Sequence, residues 1–308
     1  MTDKKPYRDF NSYLLELFGC RVQKITLDAG LTCPNRDGTV GYGGCIYCNV
    51  RGSGTGLGKT LSIKEQLEQG KKILGKKYKA KKFLGYFQSF SNTYAPFEKL
   101  KKLYDEALSV PGVVGLSIGT RPDCVSEEVL DLLAEYQRKY LIWLEYGLQS
   151  AKDETLKLIN RGHTVEDFVK AVEKTRKRKI PICVHVILGL PGEIPEDMID
   201  TAKFLANLDI QGVKLHLLYI IRGTKLHQMY EKGEYKCLDR ETYVRLVGEF
   251  LAHLPPGVVI QRITGDPHRE ELIAPAWSLE KRRNINMIHE YMKRHDLYQG
   301  KFYRKLQR

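Results

Sequence analysis

The sequence predicts an α/β protein: six strand–helix units around a parallel sheet, then a small C-terminal α+β extension. Two observations carry this. From residue 80 onward, apolar runs rich in β-branched and aromatic residues alternate with segments of helical spacing. Such repetition predicts parallel strands joined by right-handed crossovers. The composition of the 308 residues, 42% hydrophobic and 28% charged, supplies a packed core. That excludes global disorder and a small stapled scaffold. The length allows one large domain or two ordinary ones. Six strands form either an incomplete barrel or a doubly wound sheet, and in both the ligands sit at the carboxyl ends of the strands.

Strands are expected at 22–28, 82–89, 113–118, 141–148, 182–188 and 213–219. Helices are expected at 62–78, 96–109, 126–139, 164–179 and 195–208. Ser126 followed by Glu127 and Glu128 is a helix start, and Pro195-Glu196-Asp197 is another. Beyond Gly233 a helix at 240–254 is stopped by Pro255-Pro256-Gly257. A strand at 258–263 and a helix at 277–295 follow, the latter with Leu279, Ile285, Ile288 and Met292 on its apolar side. We therefore expect a main unit at 1–232, with a long loop at 29–60, and an extension at 233–308 that packs on it.

Lys plus Arg is 50 and Asp plus Glu 37, a net charge of +13. The cations come in bursts: Lys71 to Lys82, Lys99 to Lys102, Arg176 to Lys179, and Lys281 to Arg283. The tail adds Lys293, Arg294, Lys301, Arg304, Lys305 and Arg308, interleaved with Tyr298, Phe302 and Tyr303. Any single burst reads first as a solvated surface. Their sum, with aromatics that stack on unpaired bases, points to RNA or DNA without choosing between them. The longest apolar stretches, 186–190 and 217–221, fall far short of the ~20 residues of a membrane span. No apolar stretch follows the charges of Met1-Thr2-Asp3-Lys4-Lys5, so a cytoplasmic protein with no membrane association is expected.

Seven cysteines is an odd number, and Cys33, Cys45 and Cys48 fall within 16 residues, spaced C-x11-C-x2-C directly after the first strand. Without a secretion signal this reads as metal or redox chemistry. Glycines 38, 41, 43 and 44 let the loop fold back, as wrapping a cofactor requires. Three thiolates hold three irons of a four-iron cluster and leave one iron open. A zinc site, the alternative, wants a fourth ligand. Cys20, Cys124, Cys183 and Cys237 are scattered and read as small apolar residues.

The run Cys33-Pro34-Asn35-Arg36-Asp37-Gly38, the long first spacing and the aromatic Tyr47 resemble the radical S-adenosylmethionine enzymes, more narrowly the YtqA/YhcC-type family. The resemblance implies an incomplete TIM-like (β/α)6 barrel. It also implies a [4Fe–4S] cluster on Cys33, Cys45 and Cys48, S-adenosylmethionine on the fourth iron, and a 5′-deoxyadenosyl radical. Relatives carry Gly-Gly-Glu after strand two. Here Gln88, Ser89, Asn92 and Thr93 offer amides and hydroxyls in its place. Thr120-Arg121-Pro122-Asp123 resembles a step of the Elongator catalytic subunit. Gln149 and Arg161 match cofactor contacts of the oxygen-independent coproporphyrinogen oxidase group. Ile187 matches a residue packing on adenine there, and His185 replaces an Asp. Glu145, closing strand four, and Leu218, closing strand six, complete the expected cofactor set. Arg121, His216, Tyr219, Arg262, Asp266 and Arg269 are placed on the substrate side, with Arg262 pairing a substrate carboxylate.

The implied activity is conversion of a wobble-uridine carboxymethylaminomethyl group in tRNA to aminomethyl. The basic bursts and tail would hold the anticodon arm, and a donor such as flavodoxin or ferredoxin would supply electrons. Two rivals stand beside it: a radical enzyme on a small anionic metabolite or porphyrin, and a non-enzymatic zinc- or cluster-bearing nucleic-acid-binding protein. The run Gly52 to Thr60 fails the P-loop pattern at Ser53 and is expected to form a flexible lid beside the cluster.

Overall fold

A computed structural model describes residues 5–49, 52 and 60–304. Most of the expected lid, and Lys305 and Arg308 of the tail, lie outside the described residues. The strands are β1 (Val22–Leu27), β2 (Lys82–Phe87), β3 (Val113–Thr120), β4 (Leu141–Gln149), β5 (Ile182–Leu188), β6 (Gly212–Leu217) and β8 (Val259–Arg262). They form one parallel sheet in the order β1-β2-β3-β4-β5-β6-β8. The order never reverses, so there is no switch point of the doubly wound kind. Every crossover steps the same way, which curls the sheet into a half-barrel of the TIM type. The seventh strand comes from the C-terminal segment, where the sequence suggested six.

The helices α2 (Ile63–Tyr78), α3 (Phe97–Ser109), α4 (Glu127–Tyr136), α6 (Val165–Lys177) and α7 (Pro195–Ala206) follow successive strands, and α9 (Arg240–His253) precedes β8. Their starts obey local rules. Ser62 with Glu65 and Thr164 with Asp167 make capping boxes, and the Ser126 side chain accepts from Val129 N. The expected helix at 277–295 is broken: a short 3-10 turn at Ala276–Leu279 ends at Glu280, whose ψ of 50° is not helical, and α10 (Lys281–Arg294) starts afresh. Glu280 is held there by Arg240 and Arg283. Four short elements had escaped the sequence reading: α1 (Phe10–Phe18), α5 (Asp153–Leu158), α8 (Lys225–Glu231) and the ribbon of β7 (Ile220–Ile221) with β9 (Leu272–Ala274).

Outward residues of the strands, such as Leu27, Phe87, Leu116, Leu144, Val184 and Leu215, pack under the helices in the main core. The inward face is different at its two ends. At the amino ends of the strands, Phe10 and Leu14 of α1 close the half-barrel against Val22, Leu84, Trp143, Cys183 and Val259. Gln299 straps the tail to this same end through Pro255 O, Val258 O and Arg8 N. At the carboxyl ends the loops fold over, and no helix of the described residues is long and apolar enough to cross a membrane.

The β4 and β5 ends are tied by Ser150 Oγ donating to Glu193 Oε1. Burial pushes the Glu193 carboxyl up to about 7. An acid raised in the folded state binds more protons than the unfolded chain between pH 4.5 and 7, so stability falls as pH rises through that window. Glu193→Gln should flatten that slope and stabilise the protein above pH 7 by on the order of 2 kcal/mol. Thermal unfolding of both forms at pH 5 and pH 8 checks this; a parallel pH response in the two forms contradicts it.

Candidate active site

The loop from Cys33 to Cys48 leaves the carboxyl end of β1 and is wound by its own backbone. Cys33 O accepts from Arg36 N and Asp37 N, Pro34 O from Val40 N, and Asn35 O from Gly44 N. Gly43 and Gly44 hold φ of 78° and 77°, conformations closed to most side chains. Asn35 is 1% exposed and donates to Asn160 O at 2.5 Å, while Asn160 Nδ2 donates to Gly44 O at 2.8 Å. Ile46 N donates to Ile159 O. The loop is thereby fastened to the segment that carries Arg161.

Arg161 is the joint between loop and sheet. Its Nη1 donates to Cys45 Sγ at 3.7 Å and its Nη2 to Gly147 O at 2.7 Å. Arg121 Nη1 donates to Arg161 O at 2.6 Å, and His163 Nε2 donates to the same Gly147 O at 3.1 Å. Burial and the two neighbouring arginines keep His163 neutral, with its pKa down to about 2. A hydrogen bond from Cys48 and the Arg161 charge hold the Cys45 thiol well below its usual range against burial. Cys45 is buried, and Cys33 and Cys48 are partly so. Among the described residues no three His, Cys, Asp or Glu converge at the distances of a single metal ion. A four-iron cluster takes each thiolate on a separate iron. Thiolate donors beside N–H groups of Arg161 and Asn35 fit the cluster.

The next strand ends carry unpaired polar atoms. Among the described residues, Ser89 Oγ, Asn92 Oδ1 and Arg161 Nε are buried without a hydrogen-bond partner. Gln149, with φ of 78°, pairs with Val186 across a register shift in β4 that leaves Leu148 out of the ladder. Gln88 ends β2, its N–H donating to Leu27 O. Ile187 and Leu218 pack with Ile46, and Tyr47 rests against the same apolar group. The donors, the acceptors and the apolar ledge lie around one mouth, which is the constitution of a nucleoside and amino-acid pocket.

The structure commits several expected site residues elsewhere. Glu145 is 0% exposed inside the barrel, its oxygens taken by Lys24, Lys214 and His185, so it is not open to a cofactor. The Thr93 hydroxyl bonds Thr120 Oγ1 at 2.6 Å and Cys124 O at 2.7 Å; it faces a surface cleft of about 640 Å³ rather than the mouth. Arg121 forks onto Asp123 at 2.9 and 2.6 Å and braces Arg161, so it positions a neighbour and does not face substrate. Asp266 is exposed and paired with Lys281, and Arg269 is exposed at the rim. His185 and His216 stack with ring centroids 5.1 Å apart, and Tyr219 lies beside Gly265. The sequence reading passed over Lys24, Lys214, Asn160 and His163. The two lysines were legible as polar residues at alternate positions of strands, facing one side.

The Radical SAM superfamily profile matches residues 33–205, and the Radical SAM C-terminal domain matches 210–294. Protein YtqA of Bacillus subtilis is 42% identical over 305 residues, 99% of this chain and 95% of its own length. YhcC of Escherichia coli is 38% identical, over 93% of this chain and 92% of its own. A tRNA uridine(34) acetyltransferase of Methanocaldococcus jannaschii is 29% identical over 60% of this chain and 34% of its own length. The crystal structure of Elp3 from Methanocaldococcus infernus shares the fold, with a TM-score of 0.65, 20% identity, and coverage of 90% of this chain and 64% of that one. The chain belongs to the radical S-adenosylmethionine superfamily and, within it, to the family of YtqA and YhcC. Its cofactors are accordingly a [4Fe–4S] cluster and S-adenosylmethionine.

A Cβ on Gly147 would stand 2.6 Å from Gln149 Nε2 and 2.7 Å from Arg161 Nη2. Gly147→Ala should therefore displace both side chains and weaken S-adenosylmethionine binding about tenfold, the usual loss when one buried charge-assisted bond is misaligned. Iron content should stay unchanged. Equilibrium dialysis beside iron analysis reads both; unaltered binding contradicts the placement.

Proposed function

We propose that Cys33, Cys45 and Cys48 hold the cluster and that Arg161, Gln149, Ser89, Asn92, Tyr47, Ile187 and Leu218 hold S-adenosylmethionine in an enzyme that modifies tRNA. The reaction proposed is removal of the carboxymethyl group from a wobble-uridine carboxymethylaminomethyl side chain, leaving aminomethyl. When bound, the two cofactors supply a reductively generated carbon radical that takes a substrate hydrogen, with electrons from a flavodoxin- or ferredoxin-type donor. A C–H bond beside an amine resists acid–base activation at neutral pH, which is why radical chemistry suits this step. The observation that carries the reading is the assembly at one mouth of the cysteine loop, the Arg161 joint and the unpaired Ser89 and Asn92 oxygens. Similarity to a tRNA uridine(34) enzyme supports the substrate class.

The chain's own residues divide the work. Arg161 and Asn35 donate to the thiol sulfur, Ile46 and Leu218 keep water from the ledge, and His216, Tyr219 and Arg262 stand on the substrate side. The RNA surface needs revision from the sequence expectation. The Lys76 to Lys82 burst joins the end of α2 to the start of β2, and the tail packs through Phe302 N on Ala252 O at the end of α9. Both lie at the amino ends of the strands, opposite the mouth. Among the described residues, exposed cations at the carboxyl end include Lys64 and Lys99 at the starts of α2 and α3, Arg222, Lys225 and Arg269, with Lys281 beside Asp266. That split also favours the second reading, a small anionic metabolite as substrate.

Protein purified without air should carry about four irons per chain, lost on replacing Cys33, Cys45 or Cys48 by Ala but kept in Cys183→Ala. Stoichiometric zinc in a colourless protein would defeat the assignment. tRNA from cells lacking the protein should accumulate the carboxymethylaminomethyl nucleoside and lose the aminomethyl one; unchanged levels return the substrate to the small-metabolite reading. Binding of the anticodon arm should weaken with salt by a log–log slope of about −0.7 to −0.9 per phosphate contact. Neutralising Arg222, Lys225 and Arg269 should flatten that slope, and neutralising Lys76, Lys77, Lys79 and Lys81 should not.

A further inference from the structure

One layer inside the half-barrel, beneath the mouth, carries more positive charge than its partners balance. Lys24, Lys214, Glu145, His185, His216 and Arg262 meet there from five strands. Glu145 Oε1 accepts Lys24 Nζ at 2.9 Å, and Oε2 accepts Lys214 Nζ and, at 2.9 Å, His185 Nε2. Lys24 also donates to Gln261 Oε1 at 2.7 Å. The two ammoniums lie over the Tyr86 ring, 4.9 and 4.0 Å from its centre. Arg262 pairs in register with Lys214, is half-buried, and has no hydrogen bond or ion pair among the described residues. Lys24, Lys214 and Arg262 are thus three cations beside the single carboxylate of Glu145, a surplus of 3 − 1 = +2.

Hydrogen bonding is short in the same place. Among the described residues, His216 Nε2, Gln261 Nε2 and Ser117 Oγ are buried without a partner. Burial and Lys214 hold His185 down to about 4, while burial and Arg262 hold His216 well below its usual value. Burial lowers Lys24 to about 8 even beside Glu145, with Lys214 adding to the effect. An uncompensated interior charge is strongly destabilising, and interior polar atoms are rarely left unpaired. One carboxylate lessens both deficits: it takes up one of the two surplus charges and offers two acceptor oxygens. Arg262 offers a planar fork suited to a carboxylate.

We infer that this layer is a binding site for the ionised carboxylate of the substrate, seated against Arg262 and His216 with Lys214 behind them. The site stands on the charge surplus and the unpaired polar atoms; the reading above supplies only the source of the acid, the carboxymethylamino group. Glu145 then serves as a fixed counter-charge. It ties down Lys24 and Lys214, which leaves Arg262 as the cation of the layer open to a carboxylate.

The test uses the cofactor-loaded protein and N-methylglycine as probe, with its methyl ester and inorganic phosphate as controls at equal ionic strength. At about 100 mM the acid should raise the unfolding midpoint by roughly 3 °C, because a ligand of the native state stabilises by mass action. The ester and phosphate should not. Arg262→Gln should abolish the shift and Arg262→Lys should keep part of it. Glu145→Gln, which enlarges the surplus, should enlarge the shift, an effect that a purely structural layer would not give. No shift with the acid, an equal shift with ester or phosphate, or a shift that survives Arg262→Gln overturns the site. A shift with unchanged tRNA nucleosides in the deletion strain keeps the site and removes the tRNA reading. Altered nucleosides without a shift do the reverse.

Discussion

The Arg161 guanidinium is the constraint on which the mouth depends. One side chain touches a cysteine sulfur through Nη1 and a strand carbonyl through Nη2. The cysteine loop has little apolar content of its own, so its position comes from such ties. Arg161 is in turn held from behind by Arg121, whose fork is filled by Asp123. A chain of buried, charge-assisted bonds therefore runs from the end of β3 to the cysteines. Its geometry is stiff because every member has more than one bond.

The strand–helix frame was legible because it rests on periodicity. Outward strand positions are apolar over whole runs, and the helices announce themselves with Ser62, Ser126 and Thr164 at their starts. Periodicity left a half-barrel and a doubly wound sheet open, since strand order is a tertiary property; the resemblance carried by the cysteine run pointed to the half-barrel that the structure has. β8 was assigned to a separate extension for the same reason: its four residues carry no mark of their partner β6. The single helix expected at 277–295 failed at Glu280, where ion pairs with Arg240 and Arg283 override a continuous apolar spacing.

Within the proposed site, some candidates rest on spacing along the chain and others on their place near strand ends. Cys33, Cys45, Cys48, Gln149 and Arg161 follow a pattern along the chain. Glu145, Thr93, Arg121 and Asp266 are polar groups near strand ends, and only contacts from other elements decide what each faces. Glu145 is taken by lysines 121 and 69 positions away in sequence, from β1 and β6. The Lys71 to Lys82 burst and the tail misled for a related reason. A count of lysines ignores which end of the barrel a helix terminus occupies, and the ends of α2 and α9 occupy the end away from the mouth.

The two ends of the barrel are built on opposite principles. The closed end is apolar, with α1 laying Phe10 and Leu14 onto Trp143 and Leu84. Lys24 Nζ stands 4.5 Å from the Phe10 ring centre, so the charged layer begins directly above that plug. Water cannot reach the layer from below, and local charge is therefore strong there. At the mouth, three thiolate donors bring negative charge, answered by Arg161 and, behind it, Arg121. A carboxylate after strand two would add to the negative side. The neutral Ser89 and Asn92 oxygens accept hydrogen bonds without doing so. That preserves a gradient from the negative cysteine loop down to the positive interior. A substrate carrying one acid group is drawn along this gradient with its acid end inward. On the proposed reading the rest of the molecule then stays at the mouth, beside the residues assigned above to the cofactor.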